Sequence, residues 1–524
     1  MKILKYICLF ALIIGFTSCE EDDITSGGDG NVVLPPLDAG SADFSNYVAL
    51  GNSLSAGFSD GTLFLAAQEA SYPNILASKM ALVGGGEFVQ PLVNDNFGGL
   101  ALAGNRIASP RLVFGGPENP VLPLESVIGP VTVTTDIALN NPTGPFNNMA
   151  VPGARSFHLL APGYGNIANL PAANAYFVRM TGSTPDATIL ELAAAQAPSF
   201  FTLWIGANDV LGYATSGGDP NLSTITDQAT FDAALGAIVA TMAASASGGA
   251  IANIPNVTQI PFFNAVPHNP LDPSNPDFGP QIPVLNATFA QLNQAYAFLG
   301  VPERSVVFSE TEASPVIIHD ESIPNIAPQL AQVLIGGGLD PITAGLLASQ
   351  YGQSRQATEN DLLTLTSSGV IATLNEEYFN TLLGLGVDPA TAGQLSVNGI
   401  TFPLEDRWVL LPSETQECVD AVNNFNATIE AIANQFGLAF VDANAIINQA
   451  ATTGYMFDNY LMNMDLVFGG LVSLDGVHPT SRGYALVASE FMKAIDATYG
   501  SNFEESGNLP KAGDYPTNYS PLLQ

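Results

Sequence analysis

The stretch YVALGNSLSAGFSD, residues 47–60, decides the fold that we expect for this chain. Its first four residues form a short apolar run, which is typical of a buried strand in a parallel sheet. Gly51 ends the run, and Ser53 follows in a turn that leads into helical segments, of which residues 72–82 are the clearest. A hydroxyl at such a strand-to-helix turn lies at the carboxyl edge of the sheet, where open α/β folds bind their ligands. The alternative is that Asn52 and Ser53 only cap a helix, as short polar side chains often do.

Apolar runs alternate with helical segments along the rest of the chain. Further strands are predicted at residues 147–153, 199–206, 250–257 and 438–442, and helices at residues 230–247, 413–436 and 481–499. Strands that alternate with helices form a parallel sheet covered on both faces. The sequence therefore predicts an α/β protein, a three-layer α/β/α sandwich around a parallel five-stranded sheet.

A long insertion, residues 268–405, separates the fourth predicted strand from the fifth. It opens with the proline-rich loop HNPLDPSNPD and continues with apolar helical segments. Within it, DPITAG at residues 340–345 resembles DPATAG at residues 388–393, and each places Asp at a helix cap and Pro at the first helical position. We expect a helical insertion that shapes a substrate pocket, with a plain surface subdomain as the alternative.

Composition indicates a globular protein and limits its partners. Of 524 residues, 47% are hydrophobic and only 12% are charged, which is far from the composition of a disordered chain. The formal net charge is −35, from 48 acidic and 13 basic side chains. Nucleic acids and anionic lipid headgroups are bound by basic surfaces, so neither is an expected partner.

The N-terminus has the pattern of an export signal. Lys2 and Lys5 precede a short apolar run at residues 7–16, which is too short to span a membrane. Residues 16–19, FTSC, resemble a bacterial lipobox, in which Cys19 is lipidated, although Phe16 stands where Leu is usual. We expect a signal peptide at residues 1–18, an acidic Gly/Pro-rich tether at residues 19–45, and an outer-membrane lipoprotein on the cell surface or the periplasmic face. An ordinary cleaved signal peptide is the alternative.

Cysteine usage fits this interpretation. The chain has three cysteines. Cys8 would leave with the signal peptide and Cys19 would carry the lipid, so only Cys418 remains in the folded domain. A single thiol forms neither an intramolecular disulfide nor a cysteine-based metal site, and Cys418 is expected to be a small buried residue in a helix.

The sequence LDGVHPT, residues 474–480, contains the most informative of the four histidines. Asp475 lies three residues before His478 in a turn that enters a helix. Its carboxylate can hold one imidazole N–H, which leaves the other ring nitrogen for a hydroxyl. Taken alone, this pattern favours an Asp-capped turn beside a surface histidine.

Four segments together are more specific. GNSLS at residues 51–55, Gly153 within AVPGA, GAND at residues 206–209 and DGVHP at residues 475–479 occur in this order. The chain thereby resembles the GDSL/SGNH hydrolase family, in particular its large lipoprotein members from Bacteroidetes-type bacteria. Asn52 stands where the name-giving motif has Asp, and the insertion interrupts the family spacing. By this resemblance, residues 46–267 and 406–505 form the two parts of the hydrolase domain, followed by a C-terminal tail at residues 506–524.

The resemblance implies a role for each of five residues. Ser53 is the nucleophile, His478 the general base and later the general acid, and Asp475 the residue that orients His478. The oxyanion hole consists of the backbone N–H groups of Ser53 and Gly153 and the side-chain amide of Asn208. Catalysis of this kind needs no metal or cofactor.

The expected function is that of a lipid-anchored serine esterase or lipase, which cleaves carboxylic esters through an acyl-enzyme intermediate. Its substrate would be a small-molecule, lipid or glycan ester, and the lipid on Cys19 would attach it to the membrane. The alternatives are an acetylesterase acting on acetylated glycans, a non-catalytic glycan-binding surface lipoprotein, and a degenerate hydrolase with a blocked pocket.

Overall fold

The computed structural model describes residues 34–117 and 119–524. The predicted signal peptide, Cys19 and the first part of the predicted tether lie outside the described residues.

A parallel sheet of four strands forms the centre of the fold. The strands are β1 (Tyr47–Gly51), β2 (Phe200–Trp204), β3 (Gly248–Ala252) and β4 (Ala439–Val441). They lie side by side in the order β1-β2-β3-β4, and every neighbouring pair is parallel. The prediction of an α/β protein with a parallel sheet is confirmed.

The predicted fifth strand, residues 147–153, is not a strand. It lies beside β1 and pairs with it through one isolated parallel bridge, between Ala49 and Asn148. At the start of the segment, the carbonyl oxygen of Tyr47 accepts from the side-chain amide of Asn147 instead of a backbone N–H. The first backbone hydrogen bond expected for a strand is therefore missing. Beyond the bridge, one further backbone hydrogen bond joins the Val151 N–H to the carbonyl oxygen of Gly51, the last residue of β1, at 3.1 Å. The sheet therefore has four strands, and the prediction of five was wrong.

The helices and the remaining short strands surround this sheet. In chain order, the α-helices of the described residues are α1 (Ser53–Ala56), α2 (Leu65–Glu69), α3 (Tyr72–Met80), α4 (Leu124–Ile128), α5 (Ala175–Val178), α6 (Ile189–Ala194), α7 (Asn208–Thr215), α8 (Gln228–Ala243), α9 (Pro261–Asn264), α10 (Ile282–Phe298), α11 (Ala327–Gly336), α12 (Pro341–Tyr351), α13 (Glu376–Gly384), α14 (Pro389–Leu395), α15 (Pro412–Phe436), α16 (Ala443–Thr452) and α17 (Ser481–Tyr499). Short antiparallel pairs join Leu100–Leu102 to Asn105–Ala108, Leu112–Val113 to Leu122–Pro123, Ile317–His319 to Ser354–Gln356, Leu362–Leu363 to Val409–Leu410, and Tyr455–Phe457 to Tyr460–Met462.

Helices cover both faces of the sheet, as alternation along β1 illustrates. Val48 and Leu50 belong to a hydrophobic cluster that includes residues of α8 and α15. Tyr47 and Ala49 belong to a second cluster, which includes residues of α3 and α17. Because successive side chains of a strand point to opposite faces, the two clusters lie on opposite sides of the sheet. The fold is thus a three-layer α/β/α arrangement.

The chain between β3 and β4 includes α9 to α14 and has a hydrophobic cluster of its own, built from residues between Val266 and Leu411. The two repeated Asp-Pro sequences begin helices, as predicted. The Asp340 carboxylate accepts from the backbone N–H groups at the start of α12, and Asp388 does the same for α14. Within the described part of the chain, we find no helix that combines the length and the apolar sequence needed to cross a membrane.

Candidate active site

Asp475 and His478 form a hydrogen-bonded pair in the turn before α17. Nδ1 of His478 lies 2.8 Å from Oδ2 of Asp475. Asp475 also accepts from the backbone N–H groups of Val477 and His478 at 2.9 Å, and from the Gly61 N–H and the Ser473 hydroxyl at 3.0 Å. Five donors thus surround one carboxylate, whose side chain is only 12% exposed.

These donors fix the ionisation of Asp475 and the tautomer of His478. Burial alone would raise the pKa of Asp475, but the charge of a protonated His478 and the hydrogen bonds from His478 and Val477 outweigh burial and lower the pKa to about 2. Asp475 is therefore ionised at neutral pH and can only accept hydrogen bonds. Nδ1 of His478 must then carry the ring proton, so Nε2 presents its lone pair.

Ser53 is held at the end of β1 as the first residue of α1. The Asn52 side chain caps this helix by accepting from the Leu54 N–H at 3.0 Å, so the helix-cap alternative holds for Asn52. The hydroxyl of the fully buried Tyr484 in α17 donates to the carbonyl oxygen of Phe58 at 2.7 Å and lies 3.3 Å from that of Ser53. The C-terminal helix thus supports the turn that carries Ser53.

Three further hydrogen bonds join this turn to the loop of His478. The Ser59 hydroxyl donates to the carbonyl oxygen of Pro479 at 3.1 Å. Asp60 donates through its backbone N–H to the Ser473 hydroxyl at 3.0 Å and accepts from the Leu474 N–H at 3.1 Å through its carboxyl group. Asp60 is 2% exposed, and burial raises its pKa to about 7. Asp60 ends the stretch of residues 47–60, and no local sequence signal indicates that it contacts residues 473 and 474.

The imidazole of His478 is also supported from one side by an aromatic ring. The ring centroids of Phe58 and His478 lie 4.5 Å apart, with an interplanar angle of 44°.

Ser53 and His478, both within the described residues, line the same two cavities. The structure has no hydrogen bond between the Ser53 hydroxyl and the His478 ring. Contacts of this kind are often long in an enzyme without substrate and tighten when substrate binds.

Gly153 and Ser53 contribute free backbone N–H groups near this point. Among the described residues, neither N–H finds a hydrogen-bond acceptor. Gly153 has φ +79°, a conformation that favours glycine, and a Cβ built on it would meet only Asn174 Nδ2, at 3.7 Å. The backbone conformation, rather than crowding within the protein, therefore explains the glycine.

Asn208 begins α7, directly after the turn that follows β2. One N–H of its side-chain amide donates to the carbonyl oxygen of Ala154 at 3.0 Å, which leaves the second N–H available. The fully buried Asp209 accepts from the Ser156 N–H at 2.8 Å and from the Ser156 hydroxyl at 2.7 Å, although burial raises its pKa. These bonds tie the start of α7 to the segment after Gly153. The sequence analysis quoted Asp209 within GAND without giving it a role.

Two cavities meet at these residues. An apolar cavity and a more open cleft are both lined by Ser53, Asn208 and His478, and Gly153 lines the open cleft. The structure therefore brings together residues that are distant in the sequence: a hydroxyl, an imidazole paired with an ionised carboxylate, two free backbone N–H groups and a free amide N–H. This set can support nucleophilic attack on a carbonyl and hold the negative charge that develops on its oxygen.

The other candidates lie elsewhere. Cys19 is outside the described residues, and Cys418 is a free, fully buried thiol in α15. His158 stacks on Tyr164 at 4.4 Å, and burial lowers its pKa to about 4. Glu321, Asp406 and Glu414 have carboxylate oxygens within 4.8 Å of one another, but they line neither cavity.

Comparisons with known proteins add little to this geometry. No protein family and no curated protein matches the chain. One matching solved structure is LAE5, described as an alpha/beta hydrolase enzyme from the metagenome of Lake Arreo, Spain; it has 10% sequence identity and a TM-score of 0.30, over 90% of this chain and 98% of that chain. Another is the extracellular lipase from Streptomyces rimosus, with 11% identity and a TM-score of 0.27, over 87% of this chain and 99% of that chain. At TM-scores of this size, neither likeness establishes a shared fold or activity.

Proposed function

We propose that this chain is a serine hydrolase of carboxylic esters. The observation that carries the proposal is the Asp475–His478 pair, in which His478 lines the same two cavities as Ser53. Serine is a weak nucleophile near neutral pH and needs an adjacent base to take its proton. An imidazole with Nδ1 bonded to an ionised carboxylate provides this base and stabilises the imidazolium that forms.

The reaction would proceed in two halves. The Ser53 Oγ attacks the ester carbonyl carbon while its proton passes to Nε2 of His478. The tetrahedral intermediate then expels the alcohol, which takes that proton, and leaves an acyl group on Ser53. In the second half, water gives a proton to His478 and attacks the acyl group, and the acid is released as Ser53 regains its proton. None of these steps requires a metal or a cofactor.

Three donors would stabilise the oxyanion of each tetrahedral intermediate. They are the backbone N–H groups of Ser53 and Gly153 and the second amide N–H of Asn208. Removing one donor of an oxyanion hole typically raises the barrier by about 2.7–4 kcal/mol. The N–H groups of Ser53 and Gly153 support this assignment, because both lack an acceptor among the described residues and an oxyanion requires such donors.

The test compares Ser53→Ala with Ser55→Ala. Ser55 lies in the same helix, is fully buried, and its hydroxyl bonds to that of Tyr72 at 3.1 Å. We expect the unchanged protein and Ser55→Ala to hydrolyse p-nitrophenyl acetate and to be labelled by a fluorophosphonate probe, and Ser53→Ala to do neither. Equal turnover by Ser53→Ala would remove the proposed mechanism.

We also propose that the chain is a member of the GDSL/SGNH hydrolase family and is anchored by a lipid on Cys19, in the outer membrane. The four ordered sequence blocks and the lipobox-like residues 16–19 support these two proposals. Growth of a bacterial host with an alkyne-bearing fatty acid should label the unchanged chain and leave Cys19→Ser unlabelled. Equal labelling of the two proteins would contradict the anchor.

A further inference from the structure

The apolar cavity follows the carboxyl edge of the sheet. Its lining includes one residue from the segment after each strand: Ser53 after β1, Ala207 after β2, Pro255 after β3 and Ala443 after β4. Side chains of α16 and α17 also contribute to its walls. Open parallel sheets bind ligands in this crevice, so the position of the cavity is that of a binding site.

The lining of this cavity is polar only where the candidate catalytic residues lie. Apart from Asn52, Ser53, Asn208 and His478, every residue that lines it is apolar. The enclosed part of the cavity has a volume of about 70 Å³, and the cavity continues into space that is open to solvent. A hydroxylated ligand would leave its hydroxyl groups without hydrogen-bond partners against such walls, which is unfavourable. A hydrocarbon chain needs no partners, and its burial is favourable.

We propose that this cavity, here named the acyl cavity, holds a long aliphatic acyl chain, and that the alcohol part of the substrate occupies the open cleft. The assignment rests on the proposed ester hydrolysis and adds its substrate class. When the carbonyl carbon lies at Ser53, the acyl chain and the alcohol must leave it in different directions. Ser53 lines both spaces, so the apolar one accepts the chain and the open one releases the alcohol.

Helix α16 offers a way to change the cavity without touching the reacting groups. Ala443, Ile446 and Ile447 line the acyl cavity from one face of this helix, at the spacing that places side chains together. Ala445 lies in the same helix but is exposed and does not line the cavity. Ala443→Met therefore adds bulk inside the cavity, and Ala445→Met is its matched control.

The experiment measures kcat/KM for p-nitrophenyl esters from acetate to decanoate. In the unchanged protein we expect kcat/KM to rise with chain length by up to about fourfold per methylene, the equivalent of about 0.8 kcal/mol for each buried methylene. Ala443→Met should lower the ratio of kcat/KM for decanoate to kcat/KM for acetate by about tenfold or more. Ala445→Met should behave like the unchanged protein. Ile447→Ala, which enlarges the cavity, should shift the preference towards longer esters.

Each result separates this inference from the proposed function. If acetate is the best substrate and turnover falls steadily with chain length, the acyl cavity is wrong while ester hydrolysis stands. If Ala443→Met lowers acetate and decanoate turnover equally, the cavity assignment is also wrong.

A binding measurement on Ser53→Ala gives a readout that does not depend on hydrolysis. The probe is 11-(dansylamino)undecanoic acid, whose fluorescence should increase on binding and fall when decanoate displaces it. We expect Ala443→Met, added to Ser53→Ala, to weaken this binding, and Ala445→Met to leave it unchanged. Probe binding without turnover of any ester would support the cavity and overturn the proposed function. Ester turnover by the unchanged protein without probe binding would overturn the cavity.

Discussion

Replacing Asp475 by Asn tests the Asp–His pair directly. The Asn side chain has almost the same shape, but one of its two terminal atoms becomes an amide nitrogen with two N–H donors. Asp475 accepts five hydrogen bonds, one of them from Nδ1 of His478. An amide nitrogen facing these donors would oppose them. An amide oxygen at the same place would keep the bond to Nδ1 but remove the charge that stabilises the imidazolium.

We expect Asp475→Asn to reduce both the stability of the protein and its kcat. A pKa held near 2, below the ordinary 3.8, corresponds to about 2 kcal/mol of stability, since the folded state binds the proton more weakly than the unfolded chain does. This contribution is complete above about pH 4 and is lost as the pH falls through about 2. At neutral pH, Asp475→Asn should therefore reduce the free energy of unfolding by at most about 2 kcal/mol, because part of the pKa shift comes from the charge of a protonated His478. The second effect is on catalysis: the corresponding change in a well-studied serine protease lowers kcat about 10⁴-fold, and we expect a comparable loss here.

The assay measures kcat for p-nitrophenyl acetate and the free energy of unfolding in urea, both at pH 7. The control is Asp465→Asn, which removes the same charge from an exposed side chain. We expect the control to match the unchanged protein in both measurements. If folded Asp475→Asn keeps kcat within about twofold of the unchanged protein, Asp475 does not orient the base, and the role assigned to the pair is refuted.

Three further predictions follow from the same structure. Asn208→Ala should lower kcat for p-nitrophenyl acetate by about 10²–10³ with a smaller change in KM, because it removes an oxyanion donor; an unchanged kcat would exclude Asn208 from that role. Gly476→Ala should cost about 1–2 kcal/mol of stability in urea and also lower kcat, since Gly476 has φ +75° and a Cβ there would lie 3.0 Å from the Phe262 backbone nitrogen. Burial and neighbouring carboxylates raise the pKa of Asp406 from 3.8 to about 7, so its ionisation destabilises the fold as the pH rises through this range. Thermal unfolding should show Asp406→Asn gaining stability over the unchanged protein between pH 4 and pH 8, and parallel pH profiles would contradict this.

Local sequence patterns were sufficient for the elements and for part of the site. The apolar run that forms β1 and the amphipathic segment that forms α17 are each readable from neighbouring residues alone. The Asp475–His478 hydrogen bond was predictable for the same reason, since three residues of one turn separate the partners. The strand at residues 147–153 was overpredicted because its outcome depends on where the side chain of Asn147 donates, which no local pattern shows.

Contacts between distant parts of the chain were not predictable from these patterns. Asp60 bonds to Leu474, and the start of α7 is tied through Asp209 to Ser156, across separations that no helical or strand period describes. The acyl cavity was not predictable either, because its walls come from distant parts of the chain: the ends of four strands and the helices α16 and α17. Each of these residues looks like ordinary turn or core sequence on its own, and only the folded arrangement shows what it contacts.

The contacts between the two ends of the chain explain how a long insertion can be accommodated next to this site. The turn of Ser53 bonds directly to the C-terminal segment, through Asp60 to Ser473 and Leu474 and through Phe58 to Tyr484. The insertion lies between β3 and β4 and has its own hydrophobic cluster, so its packing does not have to hold Ser53 and His478 together. Phe262, which lies just before the insertion, contacts the loop of His478. Its N–H donates to the carbonyl oxygen of Gly476 at 2.9 Å. The hydrogen bonds that join the turn of Ser53 to the loop of His478 therefore come from segments on either side of the insertion rather than from the insertion itself.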